Sequence, residues 1–541
     1  MTAQRLDPGC DAAESNAICE LCETGTRSLS RVYGFPMDIL ANHLAPADYE
    51  ECDLMSATAV QQRDQETNFL GVNVGKVALY ELTLAHKKMS TELTDSQWTE
   101  YGIYLRNALI TLRAFARYLE GNAVDAISTF SPQYSNINSC MQFAILKGIR
   151  VLFMESGTNL SHRLGTMRVW DWKVHRLVNP ALRYWGESVR NPLSSESAKA
   201  VSAHFRQLLS GQHFAVFSAP YSETEGVRKK WSIQSSQKMI LMTLSSYDEA
   251  YAAMLIDAFP REKAIGSVYR TQAEWLKATT QWVRKRPDVF LVIRVHPRDF
   301  PNKREQVRSE QSFVLESLLQ DLPANVHVNW PAEGVSLYEL FEDTDVILTG
   351  WSVTAMEGLV LGIPVVTYDE KLPSYPPDIM WTGSSEQEYF LNIDRALKQG
   401  WSIENVTNGF RWLAYNFVRS TVCVSKRFGR HELADQNIFR RLGTRIKNRI
   451  PRFGQPIDLL GWRAALPGAT LVSQMLIDGY DSIPAARAAL ATDQGAGDDS
   501  EIVAAELGII YTLLYANSKW TAGKPGLEKN IRRYLESRTG L

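Results

Sequence analysis

The sequence predicts an α/β chain built around two open, mostly parallel sheets, and three observations predict it. At 541 residues the chain exceeds what one hydrophobic core organises. Between Met239 and Thr367, apolar runs of strand length alternate five times with helical stretches, as in a doubly wound sheet. Earlier, Asp125 to Met154 runs strand, loop, helix, strand, the order of a βαβ unit. The chain so divides into a small cysteine-containing module over 1–65, a Rossmann-like domain over 66–235, a second over 236–440, and a linker with a helical extension over 441–541.

Composition narrows the class. Hydrophobic residues are 45% and charged residues 22%, an ordinary globular balance that excludes wholesale disorder. A net charge of −2 excludes a general nucleic-acid binder, which needs an excess of cations. No window is apolar for about 18 residues, so no transmembrane helix is expected. Met1 to Cys22 is polar and acidic, unlike a signal peptide. A cytoplasmic protein with reduced thiols is therefore expected.

Six cysteines occur, four of them near the start: Cys10, Cys19, Cys22 and Cys52. A zinc tetrahedron needs four ligands, usually as two close pairs. Only Cys19 and Cys22 are close, so free thiols are favoured over zinc.

In chain order, Gly71 and Gly75 suit a tight turn or a backbone close to a ligand, with helix packing the competing reading. Trp98 to Glu120 spaces Tyr101, Leu105, Leu109, Leu112, Phe115 and Leu119 as an amphipathic helix. Asp125–Phe130 and Ile149–Met154 are buried strands around a helix over Ile137–Lys147. In the second half, strands are expected at Met239–Leu244, Phe290–Val295, Asn325–Asn329, Val346–Thr349 and Pro364–Thr367. Helices fall at Gln272–Arg284, Glu310–Leu319, Ser336–Phe341 and Val353–Leu361, with closing helices at Glu386–Lys398 and Asn408–Arg419. Further helices are expected at Ile502–Tyr515 and Leu527–Leu535.

Ligands of open parallel sheets bind beyond the C-terminal strand ends, and two of those ends carry polar clusters. The first is Arg294-Val295-His296-Pro297-Arg298, where proline ends a buried run and fixes the turn. Imidazole and guanidinium groups there suit phosphate oxygens; a solvated basic turn is the plainer reading. The second is Thr349-Gly350-Trp351-Ser352, followed by a helix stopped by Gly362-Ile363-Pro364. Ser352 suits the helix cap, and the free N–H groups of the first turn attract anions. Thr354 and Glu357 share one helical face, and a carboxylate there suits a ribose diol. A capping serine with a surface glutamate is the plainer alternative.

These segments resemble the donor-binding half of GT-B glycosyltransferases, above all the bacterial capsule-polysaccharide synthesis proteins that include Kdo-transferring enzymes. The resemblance rests on His296-Pro297-Arg298 and on the spaced Asp345, Ser352, Glu357, Gly362 and Pro364. It is good over about 290–370 and fainter over 70–160, where the layout is similar to the family's acceptor domain. It implies two Rossmann-like domains facing a cleft, the first for acceptor and the second for donor. It also implies that His296 and Ser352 contact the nucleotide phosphate and that Glu357 contacts ribose. A CMP-sugar donor is favoured, carrying Kdo or another acidic sugar to a glycan or glycolipid acceptor, with peripheral association with a membrane polysaccharide-assembly complex.

The aspartates of Asp343-Thr344-Asp345 spell a metal-binding D-x-D, but the triplet precedes its strand and so lies away from the cleft. An inverting, metal-independent transfer is expected, with Arg294, His296, Arg298, Gly350 and the helix start gripping the leaving phosphate. The acceptor hydroxyl needs a base. Glu155, ending a buried strand, is the first candidate, a plain strand-end carboxylate being as good a reading; His162 and Asp171 follow. Asn136, Asn138, Trp170 and Trp172 are further acceptor-side candidates, with helix capping or core packing as the alternative. A CDP-polyol phosphotransferase of the teichoic-acid type, a nucleotide-sugar 2-epimerase and a non-catalytic assembly scaffold are the competing readings.

Overall fold

In the computed structural model the chain forms two compact units. One takes Met1–Leu82, Leu93–Val151 and Ser425–Ala464; the other takes Thr83–Glu92, Leu152–Val424 and Ala465–Leu541. The structure describes residues 20, 22–28, 30–31, 34–174, 180–188, 191–211, 213, 216–220, 226–259, 266–302, 305–370, 375–424, 459–490, 498–515 and 526–539. Boundaries near 65, 235 and 440 therefore do not delimit the units, because each unit is assembled from separate stretches of chain.

In the first unit, helix α1 (Pro46–Gln62) opens on proline and on Asp48 accepting from the Ala45 N–H at 2.8 Å. A tight hairpin follows, β1 (Asn68–Phe69) against β2 (Val72–Asn73). Gly71 turns it at φ +84°, a region glycine enters without penalty. Helix α2 (Val74–Ala85) starts where a Cβ on Gly75 would meet Thr67 N at 2.8 Å. Close backbone packing, and no ligand, explains that glycine.

Helix α3 (Asp95–Gly121) carries a reciprocal cap: Thr94 Oγ1 accepts from Gln97 N at 3.3 Å, and Gln97 Oε1 accepts from Thr94 N at 3.0 Å. Helix α1 packs along it, with Ser56 Oγ donating to Gly102 O at 2.8 Å and Arg117 pairing with Asp48 at 2.7 Å. The expected leading module thus contributes a helix to this unit's core. Strand β3 (Ala126–Phe130) and helix α4 (Ser135–Leu146) complete the part used below.

Strand β4 (Arg150–Ser156) leads into the second unit and pairs antiparallel with β5 (Thr166–Asp171). Strand β5 was not expected from the sequence, so its antiparallel return adds to the expected strand–helix–strand unit and does not contradict it. The loop 157–165 turns back through His162 N to Asn159 O and Gly165 N to His162 O. It is too short for the crossover of a dozen or more residues that a parallel partner requires. Helix α5 (Ser195–Ser210) follows, capped by Ser194.

The main sheet then builds. Its strands are β6 (Lys238–Thr243), β7 (Val289–Arg294), β8 (Val326–Asn329), β9 (Val346–Thr349), β10 (Val365–Thr367) and β11 (Trp381–Thr382). Between them lie α6 (Asp248–Leu255), α7 (Gln272–Arg284), α8 (Glu310–Leu318), α9 (Leu337–Phe341) and α10 (Thr354–Val360). All pairs are parallel, in spatial order β11-β10-β9-β6-β7-β8. Counted from β6 this is 3-2-1-4-5-6, the doubly wound order with its switch point between β6 and β9.

Alternate residues of one strand feed opposite layers. Met239, Leu241 and Val292 enter one core; Ile240, Met242, Leu291 and Ile293 enter the other. Burial on both faces explains the near-continuous apolar runs of the sequence.

Helices α11 (Glu386–Gln399) and α12 (Ile403–Ala414) close the unit, and α12 runs into a π-turn at Tyr415–Arg419. Strand β12 (Val422–Cys423) pairs antiparallel with β5. Helices α13 (Leu459–Asp478), α14 (Ile483–Leu490), α15 (Ser500–Tyr515) and α16 (Leu527–Thr539) follow. Helices α15 and α16 are no loose extension: Val503, Leu507, Ile510, Leu514, Leu527 and Ile531 lie in the same core as Met239 and Val292. Among the described residues, no helix is long and apolar enough to cross a membrane.

Candidate functional site

The C-terminal rim of the main sheet is polar in register. Asn329, Arg294, Thr243, Thr349 and Thr367, one from each of five adjacent strands, stand side by side, and Thr382 continues the row. The His-Pro turn after β7 and the serine turn after β9 thus share one rim. They are two strand spacings, roughly 10 Å, apart, with the switch point at β6 and β9 between them.

Arg294 is held by Asn329 Oδ1 at 2.6 Å and Val335 O at 3.0 Å. Burial draws its guanidinium down to about 10, opposed by Tyr338, Glu339, Glu357 and Glu333 nearby.

His296 begins a 3-10 turn over Pro297–Asp299. Its Nδ1 accepts from Arg298 N at 3.2 Å, which leaves the ring proton on Nε2. No hydrogen bond to Nε2 occurs among the described residues. Burial, and then Arg298, Arg294 and Lys87, lower the imidazole to about 4 despite Asp248, so the ring is neutral at pH 7. Phe217 packs on it edge-on at 5.7 Å.

Glu357 lies one turn into α10 and is buried. Tyr338 Oη donates to its Oε2 at 2.9 Å. Burial raises the carboxyl to about 7, while Tyr338 and Arg294 pull it back. The helix itself starts at Thr354, with Val353 in the cap position. Ser352 acts one residue earlier: its Oγ accepts from Thr354 N at 3.3 Å and meets Thr354 Oγ1 at 2.9 Å, while its own N–H reaches Thr349 Oγ1 at 3.1 Å. Gly350 lies buried against Tyr368, 3.5 Å from where its Cβ would be.

The rim therefore gathers a guanidinium, a neutral N–H donor, a carboxyl, a phenol and hydroxyls at a switch point. That set can hold a phosphate and a polyol. No family model matches this chain, and no curated protein does. Among solved structures it is similar to Thermosulfurimonas dismutans KpsC, beta Kdo 2,4 transferase, at 13% identity over 56% of this chain and 83% of that one, TM-score 0.31. It is also similar to the Methanocaldococcus jannaschii UDP-GlcNAc 2-epimerase in complex with UDP-GlcNAc and UDP, at 16% over 57% and 78%, TM-score 0.28. The spinosyn rhamnosyltransferase SpnG is similar at 13% over 66% and 80%, TM-score 0.24.

Other expected residues take different places. Arg298 is a correction: its side chain is 7% exposed and spent on Asp248 at 2.8 Å and Glu305 at 2.7 Å, with Glu249 at 3.4 Å. It braces the turn from beneath and has no face for a phosphate. Glu155 is paired with Arg168, its partner across the β4–β5 register, so its carboxylate is committed to a cross-strand bridge. Asp171 accepts from Lys173 N at 2.9 Å and ends β5, and His162 is exposed on the loop before β5.

In the first unit, Asn138 is buried and bonded at both ends, to Pro132 O at 2.9 Å and Gln142 Nε2 at 2.6 Å, so it is a structural clasp. Asn136 Oδ1 is buried without a hydrogen-bond partner among the described residues. Trp170 is a core residue packed on Phe153 at 4.6 Å, and Trp172 is half-buried just beyond it. Asp345 meets Lys238 at 2.9 Å and Asp343 meets Arg228 at 3.2 Å, both at the opposite rim of the sheet.

Of the four cysteines weighed for zinc against free thiols, Cys10 and Cys19 lie outside the described residues. Cys22 is exposed, whereas Cys52 is buried in α1 with its thiol raised to about 11 by burial. Sequence reasoning missed Tyr338 and Asn329. Asn329 was detectable as a polar residue ending a predicted strand; Tyr338 resembles any helix tyrosine until its contact is seen.

These buried groups set a pH optimum for stability. Burial raises Glu342 to about 8 and Asp299 to about 7, alongside Glu357. Their contribution is full below the ordinary carboxylate range and is lost as pH rises through 7 to 8. His204, lowered to about 3 by burial, and His296 behave oppositely. Their contribution is present above the ordinary histidine range and is lost as pH falls. Between about pH 4.5 and 6.5 the three carboxyls outweigh the two histidines, so thermal melts should peak at about pH 4.5 and decline towards neutrality. A Tm that climbs steadily to about pH 8.5 contradicts this account.

Proposed function

We propose that the second unit binds a nucleotide-activated donor at the switch point, and that the chain transfers the sugar to a glycan or glycolipid acceptor. The carrying observation is the convergence of Arg294, His296 and Glu357 on one rim, where the sheet order changes direction. Arg294 and the Nε2–H of His296 serve the leaving phosphate. Both are preorganised, because Asn329 and the Arg298 N–H already fix their orientation. Glu357 serves the ribose diol. Ser352 and Thr354 add hydroxyls on the far side of the switch point.

The His-Pro-Arg and Ser-Glu-Gly-Pro motifs favour a CMP-sugar, with Kdo or another acidic sugar as cargo. The transfer is an inverting displacement: the acceptor oxygen bonds to the anomeric carbon as the bond to the nucleotide phosphate breaks. The acceptor proton passes to a base, and the nucleotide leaves as a phosphate anion.

A thermal-shift screen of CMP, CDP, UDP and GDP tests the reading. CMP at about 100 Kd should stabilise the unit by about 2.7 kcal/mol, and His296→Ala should remove that shift while keeping the fold. Strong binding of CDP-polyols, or epimerisation of a UDP-sugar without acceptor, would move the assignment to those chemistries. No shift with any nucleotide would end it.

A further inference from the structure

The second unit borrows ten residues, Thr83–Glu92, from a stretch of chain otherwise assigned to the first. At their centre is Lys87, only 1% exposed. Its Nζ donates to Arg298 O at 2.6 Å and Val307 O at 2.9 Å, and pairs with Glu305 Oε2 at 2.9 Å. An ammonium has three donors, and all three are used. Its backbone sits at φ +49°, a left-handed conformation unusual for lysine. That conformation is fixed from both sides, by Lys88 N to Thr83 O at 3.0 Å and Glu310 N to Lys87 O at 3.1 Å. Lys88 and Met89 N then bind Glu310, each at 2.7 Å.

We infer that Lys87 is the positioning residue for His296, an inference that rests on the donor site proposed above. The residue whose carbonyl Lys87 grips is the one whose N–H holds the imidazole: Arg298 N reaches His296 Nδ1 at 3.2 Å, and Asp299 N reaches His296 O at 3.0 Å. Lys87 closes this short turn from outside the sheet, and Glu305 joins it to Arg298. With the turn locked, Nδ1 stays an acceptor and the proton stays on Nε2, the donor form needed against a phosphate oxygen. Without it, the Arg298–Asp299 peptide is free to tilt, the turn that also carries the Arg298 N–H loosens, and the ring loses its fixed tautomer and aim.

The experiment compares Lys87→Met, Lys87→Gln and Glu305→Gln in the full chain. It uses 15N-histidine spectra, with His296 assigned by its loss in His296→Ala, and CMP titration. In the wild type, His296 should show one protonated nitrogen, Nε2. Lys87→Met should give averaged ring nitrogens and CMP binding weaker by about tenfold or more. Lys87→Gln, which keeps a neutral donor, covers the case in which the Met variant does not fold and should fall between. Glu305→Gln leaves both carbonyl bonds and should keep the tautomer and nearly all the affinity, whatever it does to Tm. A folded Lys87→Met or Lys87→Gln chain with the wild-type tautomer overturns the inference. If His296→Ala binds CMP as well as the wild type, the donor reading fails, while the ring spectra still decide the role of Lys87.

Discussion

Removing Asp498–Leu541 should leave a chain whose second unit shows no cooperative melting transition. Helices α15 and α16 place Val503, Leu507, Ile510, Leu514, Leu527 and Ile531 in the core beneath the main sheet, each at most 4% exposed. Burying a large apolar side chain is worth roughly 1.5–3 kcal/mol, so six of them carry roughly 10 kcal/mol. That is the scale of a whole domain's stability. Polar losses add to it. Glu342 would lose the Tyr515 hydroxyl, Arg411 would lose Asp499 at 2.6 Å, and Ser202 would lose Glu506 at 2.5 Å. Glu342 and Ser202 would then stand in newly opened core. Calorimetry of the truncated chain is the check, and a transition within a few degrees of the full chain's would sink the prediction.

The second large effect is expected at Arg298. Replacing it with Met should cost about 3–5 kcal/mol, the usual penalty for stranding a buried charge. Asp248 is fully buried and meets Arg298 at 2.8 Å, so the substitution leaves its carboxylate without its cation. Adding Asp248→Asn to Arg298→Met should recover part of the loss, because the stranded charge goes too. Urea melts of the single and double variants measure this. If the double variant is no more stable than Arg298→Met alone, the pairing is not what holds the turn.

The same arginine shows what the sequence could and could not reveal. Strands β7 and β9 were legible because both faces are buried, which writes an unbroken apolar run. The polar residue that ends each run was legible with it. Helix α7 was legible to the residue, since Thr271 caps it and its apolar stripe is regular. Helix α6 was not, because Ala250, Ala252 and Ala253 give its buried side little contrast with the rest. Helix α1 was hidden by a similar lack of contrast, its buried face being Asp48, Cys52, Ser56 and Ala59.

At the site, residue types were visible but their partners were not. His296, Arg294 and Glu357 stand at the rim as the strand order requires. Arg298 has the same composition signal as Arg294, yet its counter-charges come from Asp248, Glu249 and Glu305, set by tertiary packing. Lys87 lies 211 positions before the carbonyl it grips, a distance at which local pattern carries nothing. Glu155 reads as a strand-end acid in either case. Only the antiparallel return of β5 puts Arg168 opposite it.

The interleaving of the second unit has a consequence for how the protein is made. During synthesis, Thr83–Glu92 leaves the ribosome first and waits for the His-Pro turn some two hundred residues later. The outer side of the helical layer on the main sheet waits longer still, until the stretch through Ile531 has been released. A growing chain therefore carries helices α5 and α12 with an apolar side still uncovered, the condition under which nascent chains aggregate or recruit chaperones.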